Sequence, residues 1–484
     1  MNYRSYKSSW AVLINTRFWF IFLSSFQLFA ANISSQSIDR LTFTGASVSV
    51  LVTDSSTGEV LFESRADDLF VPASMLKLVS TATALEILGA QHRYNTEIRF
   101  TGSIENGILN GDLLVLGGMD ASLGSAFFTQ TKPELVVEQI SSAIRKHGIK
   151  SITGDVIVFE STLYEPRYPA GRLWEDMANY YGAPPSAVSW RDNSFNLTLS
   201  SPKQAGELCA IVKCEPKLQG IDFKSFVYSA SHGKDSAYIF GYPGLNMWEV
   251  RGSIPAGRNA FVIRGALPNP GVQFAAELVR SIPELKSCVV RSDSDFSISQ
   301  RSTLLLNIES PPVSEIVKVV NQRSQNLLAD NLFLSLVANA GAPHSLWDLA
   351  SWQMTDYWKH KGFDMPVRFH DGSGLSPKNL VSARFINSLL MYMLNSEYAA
   401  HFQNSLAVGG ESGTLARMWP NQRWKGRVVA KSGFMEGVLG YAGYIHTIND
   451  RKLCFCISVN HFTQPVGEVR SSVEQFVGEL IEKF

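Results

Sequence analysis

Three observations predict a mixed α/β fold of the α+β kind for this chain: an antiparallel sheet flanked by helices, with a β-rich region inserted into it. Strand patterns stand at both ends, at Val48–Val52 and across Val428–Ile457, with helical stretches between them. The stretch from 91 to 295 differs in character, having short strands and turns but few long helices. At 484 residues the chain also exceeds one ordinary core, so more than one domain is expected.

In chain order, Arg4, Lys7 and Arg17 precede an apolar run, Phe18–Leu23, which ends near the small residues Ala30 and Ala31. A basic start, a short apolar stretch and a small-residue end read as a secretory signal peptide over residues 1–30. An uncleaved N-terminal anchor is the alternative, although the run falls short of the ~20 apolar residues of a membrane span. Val48–Val52, the turn residues Asp54–Gly58 and Val60–Phe62 read as a hairpin. Pro72 suits the start of a helical stretch from Ser74 to Leu88, which has Leu78, Ala82 and Leu85 on an apolar side and Gly89 as its stop. Segments such as Leu113–Leu116 and Val156–Phe159 mark the region 91–295 as an insertion of two smaller β-rich domains, leaving 32–90 and 296–484 to form one unit. Near the end, Val428–Ala430, Gly440–Tyr444 and Leu453–Ile457 read as adjacent strands. The closing helix has Val469, Val473, Phe476, Val477, Leu480 and Ile481 on one face. One sheet assembled from both ends of the chain follows.

Composition excludes several function classes. The 43 basic side chains balance 43 acidic ones, so no nucleic-acid partner is expected, and past the N-terminus membrane contact is at most peripheral. Nine histidines form no HExxH or clustered pair and five cysteines no CxxC, so neither a metal nor another cofactor is expected. Cys209 and Cys214 are spaced to close a small loop in an oxidising compartment, Cys288 reads as a buried thiol, and Cys454 and Cys456 share one face of a strand.

Three short motifs carry chemistry. Ser74-Met75-Leu76-Lys77 puts a lysine one helical turn from a serine. A bare hydroxyl needs an adjacent base to act as a nucleophile, and the helix start offers N–H groups to a developing anion. Holding that lysine neutral at pH 7 takes about 4.6 kcal/mol, which burial and a second cation supply; Lys431 is the candidate cation. A surface Ser and Lys on a helix would look the same. Two further Ser-x-x-Lys copies, at Ser200 and Ser231, enclose Pro202 and Gly233 and so lack helical geometry. Ser324-Gln325-Asn326 precedes a helical run; a capping serine is the bland reading, and the sharper one passes a proton through Ser324 to a leaving amine while Asn326 holds a substrate amide. Lys431-Ser432-Gly433 extends a strand, where it either guards an edge or binds a terminal carboxylate, with Gly433 allowing close backbone approach. The order and placement of all three favour an acyl-transfer site.

This set resembles the penicillin-recognising serine acyltransferases. Longer strings resemble their low-molecular-mass class C branch, the D-Ala-D-Ala carboxypeptidases/endopeptidases: Pro72–Leu78, Gly117-Gly118-Met119-Asp120, Tyr181-Gly182-Ala183-Pro184 with Asp192-Asn193, His370–Ser376, Gly413-Thr414-Leu415 and Gly437-Val438. The similarity runs through essentially the whole chain after the signal, and the long separation of the first two motifs fits a branch with inserted domains. The resemblance implies a penicillin-binding/β-lactamase-like transpeptidase domain in which Ser74 is acylated and Lys77 is the base. It also implies that Ser324 and Asn326 line the opposite wall, that Lys431 and Ser432 take the substrate carboxylate, and that backbone N–H groups of Ser74 and Phe434 form the oxyanion hole. Ser432 replaces the commoner threonine, and Phe434 stands where a small hydroxyl residue is usual. The implied partners are peptidoglycan stem peptides, with β-lactams as covalent inhibitors, and the implied location is exported and periplasmic. A β-lactamase or esterase on the same scaffold and an inactive peptidoglycan-binding protein are the rivals. His370-Asp371 reads as part of a structural loop near the cleft, and Trp174 and Trp190 as core packing.

Overall fold

The computed structural model describes residues 41–159, 167–218, 220–293, 301–337 and 345–484; the expected signal segment lies outside them. Strand β1 (Ser47–Asp54) and β2 (Val60–Ser64) form the hairpin, and helix α1 (Leu76–Leu88) follows. The middle of the chain contributes β3 (Asn95–Phe100), β4 (Leu113–Leu116), α2 (Pro133–Lys146) and β5 (Val156–Phe159). Next come β6 (Ser194–Ser200), β7 (Ala210–Glu215), β8 (Asp222–Ala230), β9 (Tyr238–Phe240), β10 (Met247–Pro255) and β11 (Phe261–Ala266). Helix α3 (Pro270–Ser281), β12 (Val290–Asp293) and β13 (Thr303–Glu309) lead back to a helical block, α4 (Val313–Arg323), α5 (Asn326–Ser335), α6 (Leu346–His360) and α7 (Ala383–Leu394). The chain closes with β14 (Ala407–Val408), β15 (Val428–Met435), β16 (Val438–His446), β17 (Lys452–Asn460) and α8 (Val466–Lys483).

The two ends of the chain meet in one antiparallel sheet of order β14-β15-β16-β17-β1-β2, with Val50 opposite Ile457 and Val52 opposite Phe455. Strand alternation sends neighbouring side chains to opposite faces. Leu51, Tyr444, Cys454 and Cys456 therefore pack under the helical block, while Val50, Val52, Phe455 and Ile457 meet Val469, Val473, Phe476 and Val477 of α8. Helix α1 runs through the centre of the helical block and is buried on all sides of its first ten residues, not on one apolar face. Its polar side chains are satisfied locally: Thr81 and Thr83 donate to the carbonyls of Lys77 and Val79, and Ser80 to Gly372 O at 2.6 Å.

The middle region has two cores of its own. A five-stranded mixed sheet, β12-β5-β4-β3-β13, packs Ile98, Val115 and Val158 against Val136 and Ile140 of α2 and Phe274 and Leu278 of α3. Two three-stranded sheets, β7-β6-β11 and β8-β10-β9, enclose Phe195, Leu197, Val227 and Trp248. Strand β13, beyond residue 295, pairs antiparallel with β3 and so carries the mixed sheet up to the start of α4. Trp190 is fully buried against Phe274, whereas Trp174, expected to be packed, is 48% exposed. All five cysteines are free thiols, so no disulfide joins Cys209 to Cys214. Among the described residues no helix is long and apolar enough to cross a membrane.

Candidate active site

Ser74 sits in a single 3-10 turn, Ala73–Met75, immediately before α1, so the α-helix begins two residues later than the expected start. The turn is tight: Ala73 has φ of 45°, a left-handed conformation costly for a residue with a Cβ. Two glycines let neighbours close on it. A Cβ on Gly374 would lie 1.8 Å from Ala73 O, and one on Gly433 would lie 2.6 Å from Pro72 O. Gly433 thus admits the serine-bearing turn to the edge of β15, and it is this packing that the structure shows for the glycine expected to admit a ligand backbone.

Lys77 lies on the first turn of α1, completely buried. Its Nζ is 2.9 Å from Ser74 Oγ, 2.7 Å from Asn326 Oδ1 and 2.6 Å from Ser373 O. Two of these partners are pure acceptors, and the third is a hydroxyl that can either accept or donate. A neutral amine has two N–H groups and one lone pair, so it satisfies both acceptors and turns its lone pair toward Ser74 Oγ. Burial pushes the Lys77 pKa down to about 7; Asp330 and Asp371 oppose this shift and Arg172 assists it. The cation expected to lower Lys77 was Lys431; burial does most of that work and Arg172 assists, with Lys431 coupled to Lys77 by mutual repulsion.

The acceptors around Lys77 are fixed from below. Asp330, one helical turn beyond Asn326 on α5, accepts from the N–H groups of Gly372 (3.0 Å) and Ser373 (2.8 Å). Asp371 accepts from Gly374 N (2.8 Å), Ser376 N (2.7 Å) and Asn379 Nδ2 (2.8 Å). The loop through His370 and Asp371 is therefore structural, and its carboxylate faces its own backbone. Arg172 spans both acids, 2.9 Å from Asp330 and 3.6 Å from Asp371, with all three side chains buried. Burial raises the Asp330 pKa, while Arg172 pulls it back. Asn326 donates to Tyr181 O at 2.8 Å as well as accepting from Lys77, so each end of its amide is anchored within the protein, with one donor and one lone pair left over.

Ser324 forms the opposite wall. It ends α4 in a left-handed conformation, φ 55°, and Lys431 Nζ donates to its Oγ at 2.9 Å and to Ser432 O at 2.6 Å. Ser432 Oγ donates to Thr414 Oγ1 at 2.8 Å. Lys431 is as deeply buried as Lys77, and its pKa falls well below the ordinary lysine value, first through burial and then through the charge of Lys77. Repulsion between like charges is mutual, so the two lysines together resist carrying two protons. Phe434, two residues along β15 from Ser432, is 55% exposed.

The structure brings Ser74, Lys77, Ser324, Asn326, Lys431, Ser432 and Gly433 into one site, joined at the 324–326 turn. Sequence reasoning missed Arg172 and Asp330, met Thr414 only within a family-like string, and gave Asp371 no part in placing Lys77. For Asp330 the available signal was its spacing from Asn326, four apart on a helix. Arg172 had none, being remote in sequence from everything it touches. Among the described residues no cluster of His, Cys, Asp or Glu is arranged to hold a metal.

The profile of the family described as D-Ala-D-Ala carboxypeptidase 3 (S13) matches residues 29–479. The chain is 23% identical over 458 residues to the D-alanyl-D-alanine carboxypeptidase DacB of Haemophilus influenzae, covering 92% of this chain and 91% of that one. It is 26% identical over 422 residues to the D-alanyl-D-alanine carboxypeptidase of Actinomadura sp., covering 83% and 75% respectively. The crystal structure of penicillin binding protein 4 from Haemophilus influenzae superposes with a TM-score of 0.78 at 22% identity, over 93% of this chain and 99% of that one. The same protein complexed with a β-lactam gives a TM-score of 0.73.

Proposed function

The chain belongs to the D-Ala-D-Ala carboxypeptidase 3 (S13) family and is a D-alanyl-D-alanine carboxypeptidase, and on that premise we propose that Ser74 is its nucleophile and Lys77 its general base. The observation that carries this assignment is the set of contacts at Lys77 Nζ, two carbonyl-type acceptors and the Ser74 hydroxyl at 2.9 Å. Ser74 Oγ gives its proton to the Lys77 lone pair and attacks the carbonyl of the D-Ala-D-Ala bond. Backbone N–H groups of Ser74 and Phe434 take the oxyanion. The proton passes through Ser324 to the departing amine, which is free D-alanine or, in a crosslinked substrate, the side-chain amine of a second stem. Water then hydrolyses the ester and frees Ser74.

Lys431 and Ser432 receive the terminal carboxylate. Thr414 holds Ser432 by its hydroxyl, and an arriving carboxylate favours the charged form of Lys431, leaving Lys77 to remain neutral. Asn326 is a positioning residue for Lys77. The two cores of the middle region support its division into two inserted domains, but the strand at 303–309 belongs to the first of them, so the insertion runs from 91 to about 309 and not to 295, with 32–90 and about 310–484 forming the catalytic unit. Substrates of this class lie in the cell wall, so the enzyme is exported; release into a periplasm by cleavage of residues 1–30 completes the reading.

Incubation with a fluorescent penicillin and with defined muropeptides, read by gel and by mass, tests the assignment. Wild type should be labelled and should release D-alanine, and Ser74→Ala should do neither. Labelling of the variant would remove Ser74 as the nucleophile. Rapid release of hydrolysed penicillin in place of a lasting adduct would favour the β-lactamase reading.

A further inference from the structure

A cleft of about 1070 Å³, distant in sequence from Ser74, lies where the two units of the middle region meet. Its walls come from the start of α2, the 191–196 segment, β7, β11 and α3. Six basic and four acidic side chains line it. Two acids are already paired: Glu277 with Arg191 at 2.9 Å, and Glu215 with Lys213. A third, Asp192, accepts from Ser125 Oγ at 2.6 Å; burial raises its pKa, while Ser125 and the nearby charge of Arg264 oppose that shift. Glu134 is the fourth. Lys132, Lys217 and Arg280 then remain as exposed cations facing one cavity, with Arg264 shared between Asp192 and the Tyr180 ring, in a protein whose overall charge is zero.

The floor of the cleft is also unusual. Arg191, Asp192 and Asn193 are three consecutive non-glycine residues with φ of 53°, 54° and 46°. Each costs of the order of 1–3 kcal/mol in such a conformation, and residues of this kind cluster at ligand sites. The segment is locked by Asn193, whose side chain bonds Trp190 N at 2.9 Å and Pro184 O at 2.9 Å.

One wall runs directly to the catalytic site. The Arg264 guanidinium stacks 3.7 Å above the centre of the Tyr180 ring, Tyr180 meets Tyr181 edge-on at 5.5 Å, and Tyr181 O accepts the amide of Asn326. A ligand in the cleft is therefore separated from the Lys77 pocket by two tyrosines.

We propose that this cleft is a second substrate site that binds an acidic peptide, the partner stem of a crosslinked cell-wall substrate whose scissile end lies at Ser74. The inference rests on the peptidase reading for the identity of that peptide; the cleft's charge and position carry its chemistry. Free carboxylates on the second stem would meet Lys217 and Arg280, and the crosslink would pass over Tyr180.

The test measures binding separately from turnover. A fluorescein-labelled crosslinked muropeptide dimer is titrated into the full-length Ser74→Ala chain with and without Lys217→Glu and Arg280→Glu. The double charge reversal should raise Kd about tenfold, as expected for several partly screened charge pairs acting together, and Lys217→Gln with Arg280→Gln should fall between. An acyl-D-Ala-D-Ala tripeptide without free side-chain carboxylates should bind all three chains equally. In the Ser74 background, penicillin should acylate each variant at the wild-type rate, which establishes that they fold. Equal dimer affinity in all three chains, or an equal loss for dimer and tripeptide, overturns the proposal. Failure of the peptidase reading would show instead as absent penicillin labelling of the wild type, whatever the dimer binding.

Discussion

Two buried lysines face one cleft, and their surroundings differ in kind. Lys77 is enclosed by acceptors, Asn326 Oδ1 and Ser373 O, which are themselves fixed by Asp330, Asp371 and Arg172. Lys431 has a hydroxyl, Ser324 Oγ, and one backbone carbonyl, with two more hydroxyls, Ser432 and Thr414, beside it. The first environment satisfies an amine and leaves its lone pair for Ser74. The second supplies hydroxyl donors and a cation with no carboxylate within ion-pair distance among the described residues, which suits it to receive one from outside. Sequence type alone does not separate a base from an anion receptor; the number and kind of fixed partners does.

That contrast breaks most severely at Lys77. Lys77→Met should slow acylation by penicillin by a factor on the order of 10²–10⁴, the range for loss of a positioned base, while melting stays near the wild-type temperature because the replacement suits a buried site. Wild-type acylation should also rise with pH through about 7, since the reactive form of Lys77 is the deprotonated one and its pKa stands at about 7. The variant should lose that limb. A Lys77→Met chain retaining both the rate and the pH limb would make some other group the base.

The support beneath Lys77 comes next. Arg172→Met leaves Asp330 and Asp371 buried without their cation, and breaking a buried ion cluster costs about 3–5 kcal/mol. Denaturant unfolding should show that loss. A change under 1 kcal/mol would mean that the backbone N–H groups hold the two acids unaided.

At the second lysine the effect should be smaller and selective. Lys431→Gln should lower kcat/KM for a D-Ala-D-Ala peptide about 10–100-fold, the range of one charge-assisted hydrogen bond. It should change the rate on the corresponding carboxamide much less. An equal fall on both substrates would show that Lys431 acts on the chemistry and not on the carboxylate.

The smallest effect should come from Phe434, at the lip beyond Ser432. Phe434→Ser should alter acylation by less than about tenfold, the lower end of the roughly 1–3 kcal/mol carried by an apolar contact, with the change greatest for β-lactams bearing bulky side chains. Identical second-order rate constants across small and bulky antibiotics, in both chains, would remove it as a specificity residue.

Much of the catalytic sheet was legible from sequence because its signals are local. Short apolar runs at 428–430, 440–444 and 453–457, turn residues between the last two, and a helix with period 3.6 at the end each declare themselves within a short window. The three motifs were legible for the same reason, since Ser74 and Lys77 are neighbours on one turn. Helix α1 resisted because its burial on all sides depends on five helices packed around it, and periodicity reports only a one-sided contrast.

The chain's own order of residues thus determined the sheet, the nucleophile's turn and the list of reactive groups. Tertiary structure alone decided the protonation balance of the two lysines, because that depends on water excluded by α1 and on Asp330, Asp371 and Arg172 arriving from separate segments. It also decided which carboxylates face backbone and which cations remain open in the middle-region cleft. Charge and desolvation act through distances in space, and no spacing along the chain encodes them.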